Sequence, residues 1–347
     1  MRILIVTDAW HPQVNGVVRT LEAVAEKLRL RGHEARFITP QGRRTVPLPS
    51  YREIGLTLTT AAAIGREIKQ ALPDAVHIAT EGPLGWAARK ASLRAGLPFT
   101  TGFHSRFAEY AAARVPVPGI GALGWAVLRR FHAPSHGVMV PTPSIANELD
   151  QRGFSNLRVW SRGVDHSLFR PCDHSYLDLP RPILIYVGRL AVEKGIGDFL
   201  KIKTPGTKVV VGEGPQRQQL QAVFRGTVFT GLRQGEELVR TLASADVLVF
   251  PSRTDTFGLV MLEAMACGTP VAAYDVPSPI DVVEEGITGS LNRDLTVAVE
   301  KALSLDRAKV HAAAQRFTWE RVAELFESWL VPTNGRQADG SPKAVPG

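Results

Sequence analysis

The residues with the most chemical potential in this 347-residue chain form one run, Pro251-Ser252-Arg253-Thr254-Asp255-Thr256-Phe257-Gly258-Leu259-Val260-Met261-Leu262-Glu263. The apolar stretch Val247–Phe250 before it reads as a buried strand, and a helix begins near Leu259. Gly258 lets the backbone come close to a ligand, and the free N–H groups of the first helical turn make an anion site. Asp255 lies just before that helix and Glu263 one turn inside it. Two acids bracketing such a terminus can accept hydrogen bonds from hydroxyls on either side of bound phosphates. A plain acidic first turn that favours the helix dipole is the competing explanation. The run Tyr186-Val187-Gly188-Arg189-Leu190-Ala191-Val192-Glu193-Lys194-Gly195 also follows a strand and precedes a helix. Arg189 offers a planar fork for phosphate oxygens and Lys194 a mobile point charge, so together they can neutralise a diphosphate leaving group. Glu193 would orient Lys194; an ordinary surface ion pair is the alternative.

Three weaker signals accompany these two. Asn15-Gly16-Val17 follows the first strand and opens a helix, where backbone can approach a phosphate or an acceptor, or simply turn. His104, in Thr101-Gly102-Phe103-His104, ends a strand on the same side and can bond a sugar hydroxyl or serve structure alone. Val211-Gly212-Glu213-Gly214-Pro215 is a tight turn after a strand, with Gly214 placed to border a nucleobase. It is not a dinucleotide fingerprint, because Arg217 stands where the third glycine would be.

The elements that must hold these residues read as α/β throughout. In the first half, strands at Ile3–Val6, Glu34–Ile38, Ala75–Ile78, Pro98–Thr101, Gly137–Val140 and Leu157–Trp160 alternate with helices at Val17–Leu30, Ala61–Ala71, Gly85–Ala95 and Ser144–Arg152. The pattern restarts beyond Arg170-Pro171. Strands follow at Ile183–Val187, Val209–Val211, Val228–Thr230, Val247–Phe250 and Val271–Ala273. The intervening helices fall near Pro215–Phe224, Glu236–Ala243, Leu259–Ala266 and Thr296–Leu305. This implies two Rossmann-like, doubly wound parallel sheets facing a central cleft, with ligands at the carboxyl ends of the strands. The expected division is a first domain over 1–170, a linker over 171–182 and a second domain over 183–315. A helix over 316–332 then crosses back to the first domain, and a polar, disordered tail covers 333–347.

Composition narrows the class. Hydrophobic residues are 44% and charged residues 21%, ordinary for a soluble globular protein. Two cysteines cannot build a disulfide framework, and no stretch approaches a membrane span, so a reducing, cytoplasmic setting is expected. The net charge of +8 is uneven: residues 1–165 carry 21 Lys and Arg against 12 Asp and Glu. Such a basic half fits an anionic membrane or nucleic acid, or serves solubility; the acids clustered beside the glycine loops argue against nucleic acid. The segment from Val115 to His132 mixes Val117, Ile120, Leu123, Trp125, Val127, Leu128 and Phe131 with Arg114, Arg129 and Arg130. It suits shallow insertion at an anionic surface or a core helix interrupted by Pro116 and Pro118.

The sequence resembles the retaining glycosyltransferases of family 4, which have the GT-B fold, along nearly its whole length. The most specific matching motif is the acid–seven–acid element from Asp255 to Glu263. Next come Gly188-Arg189-Leu190 with Glu193-Lys194-Gly195, and Gly163-Val164-Asp165 with Phe169. The resemblance implies that Asp255, Phe257, Gly258 and Leu259 contact the donor sugar and Glu263 the ribose. Arg189 and Lys194 would bind the diphosphate, and His104 would lie near the transferred sugar. The first acid of the motif is usually Glu, so Asp255 is one methylene short. The implied mechanism is front-face displacement, in which a donor phosphate oxygen helps deprotonate the acceptor, with no cofactor and no metal. Within the family the closest resemblance is to bacterial lipid glycosyltransferases. The first expectation is transfer of glucose or glucuronate from a UDP-sugar to diacylglycerol, by an enzyme peripheral to the inner face of the plasma membrane. Alternatives are a GDP-mannose-dependent mannosyltransferase acting on a lipid or polysaccharide, or a sugar-nucleotide epimerase or binding protein on the same scaffold.

Overall fold

β1 (Arg2–Val6) is apolar at four consecutive positions and buried on both faces, as a central strand of a parallel sheet must be. A computed structural model describes residues 1–12, 15–48, 51–107, 109 and 119–333. The polar loop after β1 leads to α1 (Gly16–Leu30), capped by the Asn15 side chain, which accepts from the amides of Val17 and Val18 at 3.0 Å each. The chain continues through β2 (Glu34–Ile38), β3 (Thr45–Leu48), β4 (Tyr51–Thr57), α2 (Ala61–Ala71), β5 (Ala75–Ile78) and α3 (Pro83–Arg94). β6 (Thr100–Gly102), α4 (Ile120–His132), β7 (Val138–Val140), α5 (Pro143–Gln151) and β8 (Leu157–Val159) follow. Six of these strands form a parallel sheet in the order β2-β1-β5-β6-β7-β8, while β3 and β4 pair as a separate antiparallel hairpin.

The second sheet begins with β9 (Ile183–Val187), a short 3₁₀ turn (Val192–Lys194), α6 (Ile196–Leu200), β10 (Thr207–Val211), α7 (Arg217–Val223) and β11 (Val228–Gly231). It continues with α8 (Gly235–Ser244), β12 (Val247–Phe250), α9 (Leu259–Ala266), β13 (Val271–Ala273), α10 (Pro279–Val282) and β14 (Gly289–Leu291). Its parallel order is β11-β10-β9-β12-β13-β14, so the direction of winding reverses between β9 and β12. After α11 (Leu295–Ala302) and α12 (Arg307–Ala314), α13 (Trp319–Trp329) leaves the second sheet and packs under the first. Its Val322, Ala323 and Phe326 meet Ile3, Ile5, Leu21, Leu28 and Trp160, and the Trp160 indole N–H donates to the Val322 carbonyl at 3.0 Å. Lys27–Glu320 and Arg31–Glu327 ion pairs edge this contact.

Two boundaries differ from expectation for identifiable reasons. The strand expected over Pro98–Thr101 starts at Thr100, because Pro98 has no N–H to give to a ladder. α3 starts at Pro83, two residues early. Its first amides are capped from a distance by Asp8, which accepts from Leu84 at 2.8 Å, Gly85 at 3.1 Å and the Thr80 hydroxyl at 2.9 Å. Burial nonetheless pushes the Asp8 carboxyl above its usual range. Strand β14, helix α12 and the β3–β4 hairpin were not legible. The first has the weak strand sequence Gly-Ser-Leu and exists by pairing with β13. Of the expected apolar segment, residues 115–118 lie outside the described residues, as do 334–347 of the expected tail.

Phe326 is wholly buried where α13 packs under the first sheet. Phe326→Ala is expected to cost about 3–5 kcal/mol, read as a lowered urea midpoint.

Candidate active site

Because β9 and β12 are neighbours, the loops that leave their carboxyl ends emerge side by side. They touch through backbone: Gly195, at φ +66°, has its α-carbon so placed that a Cβ would lie 2.6 Å from the Pro251 carbonyl oxygen. The Thr254 hydroxyl donates to the Glu193 carbonyl at 3.0 Å. Across this seam the Lys194 ammonium meets the Asp255 carboxylate. Glu193 was expected to orient Lys194; the Asp255 carboxylate of the adjoining loop is a partner that the sequence did not name. Arg189 sits half-buried in the same loop, and its carbonyl accepts the Tyr186 phenol proton at 2.7 Å. The turn carrying Gly214 lies against these residues, with a Cβ at Gly214 reaching 2.5 Å from the Leu190 carbonyl oxygen. A Cβ at Gly188 would come 3.1 Å from the Tyr186 hydroxyl. At Gly195 and Gly214 the neighbouring backbone leaves no room for a side chain.

α9 begins as the sequence anticipates. Gly258 is its N-cap at φ +82°, and a Cβ there would strike the Phe250 ring at 2.6 Å. Phe257 is buried, and its carbonyl accepts from the Ser278 hydroxyl at 2.7 Å. Gly16, at the start of α1, faces Leu259 from the other sheet: a Cβ on Gly16 would be 3.4 Å from the Leu259 Cδ1. Two helix N-termini, each with partial positive charge, therefore confront one another across the cleft beside Arg189 and Lys194. This is a strongly anion-seeking arrangement.

His104 ends the β6 segment at the same place. Its carbonyl accepts the Thr256 hydroxyl at 2.8 Å, linking it to the Asp255–Gly258 loop. Its Nδ1 faces the Arg162 guanidinium at 3.0 Å, and burial first, then that charge, hold its pKa well below the ordinary histidine value. Glu263 is nearly buried on α9 and pairs with Arg19 of α1. The pair borders a cavity of about 250 Å³ whose lining includes Glu22, Glu26, Asp165 and Trp319. A ribose could reach Glu263 only by sharing or displacing Arg19. Further along the cleft, Asp281 accepts from the Ser144 amide at 3.1 Å and from its hydroxyl, capping α5 from the second domain.

The structure thus brings Gly16, His104, Gly188, Arg189, Lys194, Gly214, Asp255, Phe257, Gly258, Leu259 and Glu263 to one cleft. Arg19, Thr256, Asp281 and Arg162 were missed. Only Arg162 carried a signal: a charge in the apolar-rich stretch Val159-Trp160-Ser161-Arg162, just before Gly163-Val164-Asp165. Away from the cleft, α4 buries Leu128 and Phe131 but leaves Leu123 (60% exposed) and Val127 (44%) on an outer face next to exposed Arg129 and Arg130. The buried face agrees with the core-helix reading of this segment. Among the described residues no helix is long and apolar enough to cross a membrane.

Residues 14–168 match the family described as Glycosyltransferase Family 4, and residues 181–306 match Glycosyl transferases group 1. A GDP-mannose-dependent alpha-mannosyltransferase of Corynebacterium glutamicum is 30% identical across 93% of this chain and 85% of its own length. Sulfoquinovosyl transferase of Arabidopsis thaliana is 33% identical across 79% of this chain, which spans 56% of that protein. Sucrose-phosphate synthase from Thermosynechococcus elongatus shares the fold, with a TM-score of 0.77 at 22% identity over 94% of this chain and 97% of the other. The chain belongs to glycosyltransferase family 4: it is a retaining hexosyltransferase of GT-B fold that uses a nucleotide-sugar donor.

The buried histidines set an acid limit on stability. Burial holds His77 down to about 3, and His104 is lowered too. The unfolded imidazoles take protons near 6.5, so below that pH the unfolded chain binds more protons than the native one. Stability is expected to fall as pH drops from 7.5 to 5.5, read as a decreasing urea midpoint; a level midpoint would contradict these burials.

Proposed function

We propose that this enzyme transfers an α-mannosyl group from GDP-mannose to a hydroxyl of a lipid acceptor at an anionic membrane surface. The observation that carries the reading is the cleft itself, where Arg189, Lys194 and the amides of α9 converge opposite the start of α1. A nucleoside diphosphate is the leaving group such a site would stabilise best, since its charge grows as the sugar departs. Mannose and guanine are preferred over the glucose or glucuronate of the first expectation because of the similarity to the corynebacterial mannosyltransferase. The sulfoquinovosyl relative keeps a different hexose in view as the second reading.

The chemistry follows from the pairings. Asp255 is engaged by Lys194 and Glu263 by Arg19, so neither is poised as a nucleophile toward the sugar. In the proposed front-face step the bond from the anomeric carbon to the phosphate oxygen breaks while the acceptor oxygen bonds on the same face. The acceptor proton passes to the departing phosphate, and the product keeps the donor's configuration. Donor binding would draw Lys194 from Asp255 toward the diphosphate and free the carboxylate for a sugar hydroxyl. Catalysis is then positioning and countercharge. With two cations and a helix terminus supplying that charge, activity is expected to persist in EDTA. The exposed face of α4 and the basic first half support the membrane location.

Purified protein offered GDP-mannose, UDP-glucose, UDP-glucuronate and UDP-galactose with diacylglycerol and phosphoinositide vesicles should form a mannolipid. Product from a UDP-sugar alone would select the second reading, and consumption of donor without acceptor-dependent product would oppose both. Lys194→Ala and Arg189→Ala should each lower kcat by about 10²–10³; near-normal turnover would overturn the leaving-group assignment. Replacing Arg129 and Arg130 by glutamine should weaken binding to anionic vesicles roughly 30-fold, at about 1 kcal/mol per arginine near the surface. Unchanged vesicle binding would remove α4 from the membrane contact.

A further inference from the structure

Two arginines are buried among the described residues, Arg106 and Arg162. Arg106 has carboxylates to meet, Glu109 at 2.9 Å and Glu148 at 2.5 Å. Arg162 has none among the described residues. Its Nη1 donates to the carbonyls of Trp160 and Ser161 at 2.5 and 3.0 Å, and its guanidinium lies 4.5 Å from the Trp160 ring centre. Its Nη2 faces Nδ1 of His104 at 3.0 Å. A buried cation without an anion is costly, so what it touches indicates what it is kept for.

A guanidinium only donates, so Nδ1 of His104 must accept and the ring proton must sit on Nε2. That Nε2 is buried, has no hydrogen-bond partner, and lies over Gly102, where a Cβ would come within 2.6 Å of it. The other end of the residue is held as well, since Thr256 of the donor loop binds the His104 carbonyl. We infer that Arg162 is a positioning residue that locks His104 as the neutral Nε2–H tautomer, so that the imidazole offers the bound donor a hydrogen bond and never a base. The remaining groups around His104 leave this arrangement intact. His77 is turned to Thr100 at 2.9 Å, and His132 is held between Thr101 at 2.8 Å and Glu81 at 3.2 Å. Trp160 contributes only its ring, at 5.8 Å. Burial and the Arg162 charge both oppose protonation of His104. A histidine so held cannot take the acceptor's proton, which leaves the departing phosphate to receive it.

The kinetic consequence rests on the reading above, in which His104 faces the donor; the tautomer does not. Long-range proton–nitrogen NMR on histidine-labelled protein, with His104 assigned from a His104→Gln spectrum, reads the tautomer directly. In the wild type, Nε2 should be protonated and Nδ1 bare from pH 5.5 to 8. In Arg162→Met, the His104 nitrogens should show mixed tautomers. Its kcat should fall about 10–100-fold, as expected for a misplaced contact, with donor KM changed less than about threefold. Arg162→Lys, which keeps a charge and a donor, should recover part of the turnover. A wild-type His104 protonated on Nδ1 or titrating near 6.5 overturns the inference, as does an Arg162→Met spectrum identical to wild type. If Arg162→Met does not fold, the wild-type spectrum decides alone. If no tested sugar is transferred, the spectra still decide, and only the functional reading falls.

Discussion

The site depends on one adjacency, that of β9 and β12 at the point where the second sheet reverses its winding. Loops from neighbouring strands that run to opposite sides leave a crevice between them. Here the crevice is narrowed until Gly195 of one loop abuts the Pro251 carbonyl of the other. The closeness brings Lys194 to Asp255 although 60 residues separate them in the chain. A charge pair at that spot, in partial burial, is far stronger than the same pair in water.

The first sheet completes what the second begins. Its contributions arrive through polar contacts across the cleft, among them Arg19 with Glu263, the His104 carbonyl with Thr256, and Ser144 with Asp281 and the Ser278 amide. Each uses a group at the start of a helix, or in the loop after a strand, on the face where the strands end. The α13 return ties the same two bodies together on the far side through Trp160 and Phe326. Trp160 is therefore shared. Its indole N–H binds α13 and its ring underlies Arg162, which holds His104. Packing between the two halves and the geometry at the reactive end are physically continuous through this one side chain.

The uneven charge of the chain has a structural counterpart. Many of the first half's basic residues are answered locally, as in Arg2 with Asp74, Arg43 with Glu67 and Lys27 with Glu320. On α4, Arg129 and Arg130 stand exposed beside Leu123 and Val127, an apolar step edged by positive charge. Such a surface costs free energy in water and regains it at an anionic interface.

The amino-acid sequence by itself determined the α/β alternation, the place where the second unit starts, and the phosphate-seeking character of the loops around Gly188 and Gly258. Those properties are local: hydrophobic period, glycine at turns, and the charge of residues a few positions apart. A segment with weak local preference, Gly289–Leu291, was not legible because pairing creates it. The same holds for partners. Strand order delivers Asp255 to Lys194; Glu263 reads as an open carboxylate, but α1 brings Arg19 to it. Arg162 is one more polar residue in a linear reading, and only burial beside His104 gives it a task. Local chemistry was written in the chain; which charge meets which was decided by the tertiary structure, because electrostatic partners are chosen by distance in space and not by separation along the backbone.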